Sequence, residues 1–541
     1  MKWFTFKLYL LSIFLPQCLC NAETEKVEDQ MIYSTSVMSM VKLLDLEESL
    51  KENVDIYVRE MQAKLDIIKL FIDSTKKEPK LTTLEKKEEY MANPLNAFPL
   101  LRRLNQDWPK WLKYMKIAIA PNNTKAMQKH LKSAPSHDDL NVALKGMTRI
   151  EQFYNQQAED LTKGFLLDKK FNSFLTSPDC ISLADFHYNQ SRFTDSTHWY
   201  RMALRLHKNP QGKLYERVLG LNRKKIYKKY AQAMLKESIT LDKGKPTAAE
   251  RAQWDALAKQ IVKKDNYDNI KSLIDEYLTG DEKIFQEEAA RHKRKPTNLE
   301  LGCRGEWPKR ISSELVCRYN RDTSAFLKLA PLKLEFLNMK PLILLYHDVL
   351  YDKEFKAMRD IAIFNATMTD GWTYVNFDRK GKPQRQDRVV KMISFQGTTA
   401  SFTLAINRRI GDMTGLEMQE NMGLHLTNYG LGGHFGKHLD YVDLAKRPAN
   451  FSDLGGDRLA TALLYATDVP LGGSTVFTKL KIAVKPKKGN ALIWFNLDHA
   501  GNPEPLSEHS ACPVVKGSRW TISKWIQERQ QMFKKPCLAL A

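Results

Sequence analysis

The stretch Asn428-Tyr429-Gly430-Leu431-Gly432-Gly433-His434-Phe435-Gly436-Lys437-His438-Leu439-Asp440 decides how the chain is read. His438 and Asp440 stand two residues apart, and on an extended strand such residues point to one face and can reach the same ion. Spacing alone is a weak signal, because the chain holds 12 histidines and a second copy of the pattern occurs at His137-Asp138-Asp139. That copy sits in a helical region without strands and reads as a surface turn. The pair at 438 lies among strands instead, and His509 follows further along. Two imidazoles and one carboxylate on a single face leave open positions for other ligands, as a non-haem Fe(II) centre prefers. A core histidine beside a surface pair is the competing reading. Beyond His509, after a Lys516-Gly517-Ser518 turn, Arg519 opens another strand, and a guanidinium there can take a keto acid's carboxylate in a two-pronged grip.

Around this stretch the texture is that of strands. Leu424–Tyr429, Leu459–Tyr465, Ser474–Phe477, Ala491–Phe495 and Trp520–Ser523 are short, apolar and broken by Gly, Pro or Asn, which predicts an antiparallel sandwich or barrel. The segment from Leu342 to Met413 mixes helices with edge strands. Upstream the composition turns helical. Residues 144–290 carry few glycines, and Trp199, Tyr200, Tyr215, Tyr227 and Tyr230 read as core aromatics. Arg291-His292-Lys293-Arg294-Lys295-Pro296 reads as a solvated linker. From Leu43, the positions Leu46, Leu50, Val54, Tyr57, Met61, Leu65, Ile68 and Ile72 form one stripe of a long helix. That stripe needs a cover, either the following helices or a second copy of itself. The helical pattern breaks at Asn93-Pro94 and restarts through Ala97–Leu104 to Trp108.

Lys2 and Lys7 lead into Leu8–Leu15 with Cys18 and Cys20 following, the pattern of a cleavable signal peptide. No later stretch reaches the ~18 apolar residues of a membrane span. Asn122, Asn189, Asn365 and Asn450 are glycosylation acceptors that fit a secretory address. Five cysteines remain after the leader. Closeness in sequence favours Cys303 with Cys317 and Cys512 with Cys537, leaving Cys180 as a buried, inert thiol. Leu538-Ala539-Leu540-Ala541 is not a retention signal, so retention falls to a partner. The length of 541 residues implies about three domains. The net charge of +21, from 84 basic and 63 acidic residues, is spread along the chain and reads as a solvated surface rather than a nucleic-acid site.

Several blocks in order resemble the catalytic domain of the collagen prolyl 4-hydroxylase alpha subunits. They are Asn428–Asp440, Asp457-Arg458-Leu459-Ala460-Thr461, Gly472–Phe477, Pro486-Lys487-Lys488-Gly489 and His509–Val514. The likeness extends through Cys303-Arg304-Gly305, Cys317-Arg318-Tyr319 and Tyr346–Leu350, and to Asn96-Ala97-Phe98 and Arg103-Leu104-Asn105 in the N-terminal half. It covers nearly the whole mature chain. The fold it implies is multidomain α+β, with an all-helical N-terminal half followed by a double-stranded β-helix, or jelly roll. The chain then divides into a signal peptide (1–20), a helical dimerisation domain (21–143), a tetratricopeptide-like peptide-binding domain (144–290), a linker with a disulfide (291–335) and an Fe(II)/2-oxoglutarate dioxygenase domain (336–541).

By this resemblance His438, Asp440 and His509 bind Fe(II), while Tyr429 and Thr475 line the 2-oxoglutarate pocket. Arg519 stands where the family has a lysine that pairs with the distal carboxylate of 2-oxoglutarate, which keeps the charge and implies an altered co-substrate affinity. Gln527 replaces a histidine that helps to orient the co-substrate. Ascorbate rescues the iron after uncoupled turnover. The resemblance further implies the Cys303–Cys317 and Cys512–Cys537 disulfides, dimerisation through the Leu43–Ile72 stripe, and residence in the endoplasmic reticulum lumen. There the chain would pair with protein disulfide isomerase in a heterotetramer of two catalytic and two isomerase chains. The implied reaction is 4-hydroxylation of proline in X-Pro-Gly sequences of collagen-like proteins, coupled to decarboxylation of 2-oxoglutarate to succinate. Phe193 and Thr194 replace a tyrosine pair of the family's peptide groove. That keeps two alternatives in view, a hydroxylase of other proline-rich secreted proteins and a catalytically weak binding subunit.

Overall fold

The apolar stripe that starts near Leu43 belongs to a helix of 39 residues, Val37–Thr75, about 58 Å long at 1.5 Å per residue. In this computed structural model the described residues are 33–75, 80–208, 211–241, 295–308, 315–364, 389–395, 401–418, 423–442 and 456–535, with short pieces at 252, 256, 271–272, 369–370, 374–377 and 383–385. The signal-peptide segment, most of 242–294, Asn365, Asn450 and Cys537 lie outside them. The long helix is held by residues from the helices that follow. Lys64 Nζ donates to the Met115 and Ile117 carbonyls (3.0 and 2.6 Å), Glu60 accepts from the Ala120 amide (2.9 Å), and Phe71 stacks on Trp111 with ring centres 4.3 Å apart. Those contacts cover only part of the stripe, since Val54, Met61, Leu65 and Ile72 remain exposed.

The middle helices Ser177–Asn189, Phe193–Leu206 and Arg223–Leu241 share one core of Trp199, Tyr200, Leu204, Tyr227, Tyr230 and Cys180. Trp199, Tyr200, Tyr227 and Tyr230 are therefore packing residues, as their spacing predicts. Cys180 is a free, buried thiol. Burial, reinforced by Asp179, pushes it up to about 12, which makes it inert.

After residue 315 the described residues form two main antiparallel sheets beside two small two-stranded ones. The larger runs Cys317–Asn320, Leu332–Met339, Leu342–His347, Ala491–Phe495, Arg458–Tyr465, Trp520–Gln527, Leu424–Tyr429, Val390–Phe395 and Thr369–Asp370. The smaller runs Phe435–His438, His509–Ala511, Thr475–Phe477 and Ile482–Val484. All five strands expected from the sequence are present, and they form the jelly roll with its small sheet laid over the centre of the large one. The Leu342–His347 strand is interior rather than an edge.

Alternation along the central strands sorts the side chains into two layers. Ala460, Ala462, Leu464, Ile522, Ile526 and Ile493 join the core beneath the helices Asp352–Phe364 and Ser401–Thr414. Leu463, Tyr465, Leu492 and Trp494 point the other way, into the gap between the sheets. A strand covered on both faces is apolar throughout, which is why Ala491–Phe495 shows no alternation in sequence.

Two expectations are corrected. The structure joins Cys303 to Cys512, with Cα atoms 5.6 Å apart across 209 residues of sequence, and leaves Cys317 as an exposed thiol. Cys303 lies in the last turn of the helix Asn298–Arg304 and packs with Val476 and Cys512 in one cluster, whereas Cys317 is drawn away by pairing opposite Glu335. The resulting bond excludes both predicted pairings. His137-Asp138-Asp139 is not a surface turn either. It opens the helix His137–Tyr154, and Asp139 is buried, accepting from the Tyr33 and Ser34 amides at 2.8 Å each.

Peptide mapping of unreduced protein is expected to recover the Cys303 peptide joined to that of Cys512. A Cys303→Ser/Cys512→Ser double variant should lose about 2–4 kcal/mol in denaturant unfolding, because the bond closes a long loop.

Candidate metal centre

His438 and His509 are paired directly across the small sheet. Residues distant in the chain thus become cross-strand neighbours, and register alone places their rings 4.2 Å apart. Asp440 follows the end of the first strand. One ligand-type atom from each of His438, Asp440 and His509 lies within 4.8 Å of the others. The nearer carboxylate oxygens are 3.7 Å from His438 Nε2 and 3.9 Å from His509 Nε2.

Both imidazoles are oriented by their far nitrogens. Nδ1 of His438 lies 2.8 Å from the Gly436 carbonyl and Nδ1 of His509 lies 3.0 Å from the Ser507 carbonyl. A carbonyl can only accept, so each Nδ1 carries the proton and each Nε2 presents a lone pair to the centre. Phe435 stacks on His438 with ring centres 3.6 Å apart, and Trp494 sits 4.5 Å from His509. Those rings fix the imidazoles and keep water out.

Asp440 is supported from the large sheet. Its Oδ2 accepts from the Thr461 hydroxyl (2.7 Å), Thr461 in turn accepts from Asn496 Nδ2 (3.0 Å), and Arg458 donates to the Asp440 carbonyl (3.1 Å). Burial alone would raise the carboxyl. When protonated, the two imidazoles, together with Arg458 and the Thr461 hydroxyl, outweigh it and hold Asp440 below the usual carboxylate range. A carboxylate with two neutral imidazoles offers the donor set of a divalent cation such as Fe(II). The residues therefore fit the ion.

The same cavity, about 60 Å³, is lined by Tyr429, Thr475 and Arg519 as well as by the three ligand-type residues. Arg519 precedes the Trp520–Gln527 strand and is fully buried. It donates to Thr475 Oγ1 (3.0 Å) and lies 4.3 Å from the centre of the Tyr429 ring. Its Nε and Nη1 atoms are buried without a hydrogen-bond partner, and among the described residues no carboxylate pairs with it. The Tyr465 hydroxyl also donates to Thr475 Oγ1 (2.8 Å), leaving the Thr475 proton free to point at a ligand. A closed-off guanidinium with two vacant N–H groups is what a bound carboxylate would satisfy.

Each site residue expected from the sequence therefore faces one cavity, with the imidazoles on the small sheet and the guanidinium on the large one. Gln527 does not line it. Thr461, Tyr465 and Trp494 do belong to the site or its support, and sequence reading passed over them. They share the inward parity of Leu463 and Leu492, so reading alternate residues of those two strands would have found them.

The N-terminal region of prolyl 4-hydroxylase alpha subunits matches residues 36–168, and the 2OG-Fe(II) oxygenase superfamily matches residues 424–527. Prolyl 4-hydroxylase subunit alpha-1 of Rattus norvegicus is 31% identical over 552 residues, spanning 98% of this chain and 98% of its own. The protein of the same name from Homo sapiens is 30% identical over 559 residues, spanning 99% of each chain. Among solved structures, the viral collagen prolyl hydroxylase of Paramecium Bursaria Chlorella virus-1 in its 2OG complex is 19% identical, with a TM-score of 0.27, and covers 34% of this chain and 95% of that one.

Thr461→Val keeps the side-chain volume and removes the hydroxyl that supports Asp440. The substitution is expected to weaken Fe(II) binding by about 10- to 100-fold in a metal titration, with little change in melting temperature.

Proposed function

The chain belongs to the prolyl 4-hydroxylase alpha-subunit family, whose members couple proline hydroxylation to 2-oxoglutarate, and from that premise we propose that it hydroxylates X-Pro-Gly sequences of collagen-like proteins in the endoplasmic reticulum lumen. The observation that carries this reading is the convergence on one dry cavity of a two-histidine, one-carboxylate set and a buried guanidinium with two vacant N–H groups. His438, Asp440 and His509 would hold Fe(II), which with oxygen would supply the oxidising power that converts proline to 4-hydroxyproline while 2-oxoglutarate is cleaved to succinate and carbon dioxide. Ascorbate, typical of the family, would serve as the reductant that keeps such an ion ferrous.

The protein's own part is placement. Nε2 of each histidine and the Asp440 carboxylate fix the ion, while Thr461 and the two backbone carbonyls stop the ligands from turning. Arg519, with the Thr475 hydroxyl beside it, takes the distal carboxylate of 2-oxoglutarate, and the Tyr429 ring covers the guanidinium. Phe435 and Trp494 exclude water, so the fields of these groups act undiluted. An arginine here keeps the charge of the family's lysine and adds a planar, two-pronged donor set.

The middle helices hold the substrate chain. A groove of about 550 Å³ between Asn155–Ala158 and the Phe193–Leu206 helix presents Phe193, Thr194 and His198, with the buried Trp199 behind them. A polyproline strand is already ordered and binds such ring faces with little loss of entropy. Only one ring stands at 193–194, which favours proline-rich secreted proteins other than long collagen as a second substrate class. The exposed apolar residues of the Val37–Thr75 helix would meet a second copy, and protein disulfide isomerase would complete a tetramer and supply retention.

Anaerobic titration with Fe(II) and 2-oxoglutarate should produce a weak metal-to-ligand charge-transfer band that His438→Ala abolishes. Arg519→Ala should retain metal binding and need about 10- to 100-fold more 2-oxoglutarate, the loss of one to two charge-assisted hydrogen bonds. Folded protein that shows no band would overturn the enzyme reading. Turnover on Pro-Pro-Gly repeats against non-collagen proline-rich peptides separates the two substrate classes.

A further inference from the structure

The backbone of Arg519 is tied to the other end of the chain through Asn428. Ser34, Thr35 and Ser36 immediately precede the Val37–Thr75 helix, yet they are buried at 5%, 0% and 0% exposure. The Leu431 amide donates to the Ser34 carbonyl (3.0 Å). The Ser36 hydroxyl donates to Asn428 Oδ1 (2.6 Å), and the Met38 amide donates to the same oxygen (3.3 Å). Asp139 anchors the segment from behind through the Tyr33 and Ser34 amides. The approach is so close that a Cβ on Gly430 would collide with the Ser34 carbonyl oxygen and the Thr35 carbonyl carbon. Only glycine fits there.

Asn428 is fully buried, and its amide nitrogen is turned toward residues 518 and 519. Its Nδ2 donates to Ser518 Oγ (3.1 Å) and to the Arg519 carbonyl (3.3 Å). That carbonyl also accepts from the Tyr429 amide (3.1 Å). One amide side chain therefore ties residues 34–38 to the backbone of the residue whose guanidinium enters the cavity. The Arg519 side chain donates to Thr475 Oγ1 and pairs with no carboxylate among the described residues, so its reach depends on where its backbone is held.

We propose that Ser36 and Asn428 are positioning residues, and that the segment 33–38 is a working part of the 2-oxoglutarate pocket rather than a leader to the long helix. Removing the Ser36 hydroxyl leaves Asn428 Oδ1 with a single long partner. The amide is then free to turn, and the Arg519 carbonyl keeps only one of its two donors, the Tyr429 amide. The effect falls on the co-substrate carboxylate and bypasses both the metal ligands and the peptide groove. The inference rests on the assignment of Arg519 to that carboxylate.

The test uses the full chain with Ser36→Ala, Ser36→Thr and Asn428→Ala. Binding of 2-oxoglutarate to oxygen-free, Mn(II)-loaded protein is measured by calorimetry, and hydrogen exchange of the Tyr429 amide is followed in metal-free protein. Ser36→Ala should weaken 2-oxoglutarate about threefold to tenfold and speed that exchange. Asn428→Ala should do more, and Ser36→Thr should restore both readouts. The peptide KM and the Mn(II) affinity should hold at wild-type values. Variants that melt earlier but bind 2-oxoglutarate like wild type would overturn the inference while leaving the enzyme reading intact. Equal losses of metal, peptide and co-substrate would overturn it too, as a sign of general loosening. Wild-type protein that binds no 2-oxoglutarate would sink the enzyme reading and this inference together.

Discussion

A positive charge sealed inside protein without a counterion is among the least favourable arrangements a fold can hold. Arg519 is in that state, and much of the surrounding architecture serves to keep it there. The strands on either side supply a ring, a hydroxyl and a carbonyl clamp, but no carboxylate. The small sheet opposite supplies two imidazoles and an acid poised for a cation. The cavity is thus bipolar, with a site for a cation at one end and a site for an anion at the other. A small dicarboxylate that also chelates metal would suit both ends, and neither end is satisfied alone. The jelly roll matters because it lets two sheets of different strand composition face each other across a gap only one small molecule wide.

How much of this could be read in the sequence followed from how local the determinants are. The five central strands were legible because period-two alternation and apolar runs depend only on neighbouring residues. His438 and Asp440 were legible for the same reason, as two residues on one strand. His509 and Arg519 stood out as candidates by residue type and strand context, and the resemblance then gave them roles, because nothing local says that the Phe435 and His509 strands pair in register. Thr461, Tyr465 and Trp494 were hidden among apolar neighbours of the same strands, and a threonine in a strand has no signature that separates a carboxylate donor from ordinary packing.

The misread features share a cause. Cys303 was assigned to Cys317 because short loops close easily. The actual partner is set by where the Asn298–Arg304 helix docks, which is a tertiary fact. Asp139 looked like half of an idle metal motif on a turn. Its real task, capping the backbone of residues more than a hundred positions away, cannot be inferred from a helix N-terminus that any aspartate would suit.

The Ser36–Asn428 hydrogen bond spans 392 residues, and that span sets a clock. At the ribosome's pace of ~5–20 residues per second, the earlier partner waits roughly 20 to 80 s before the later one is made. Through that interval Ser34–Ser36, with their buried backbone polar groups, have no mate for Asn428 and must stay solvated or chaperoned. The anion end of the cavity cannot be sealed until nearly all of the chain has been synthesised, so a truncated nascent product carries no competent pocket and cannot consume co-substrate prematurely.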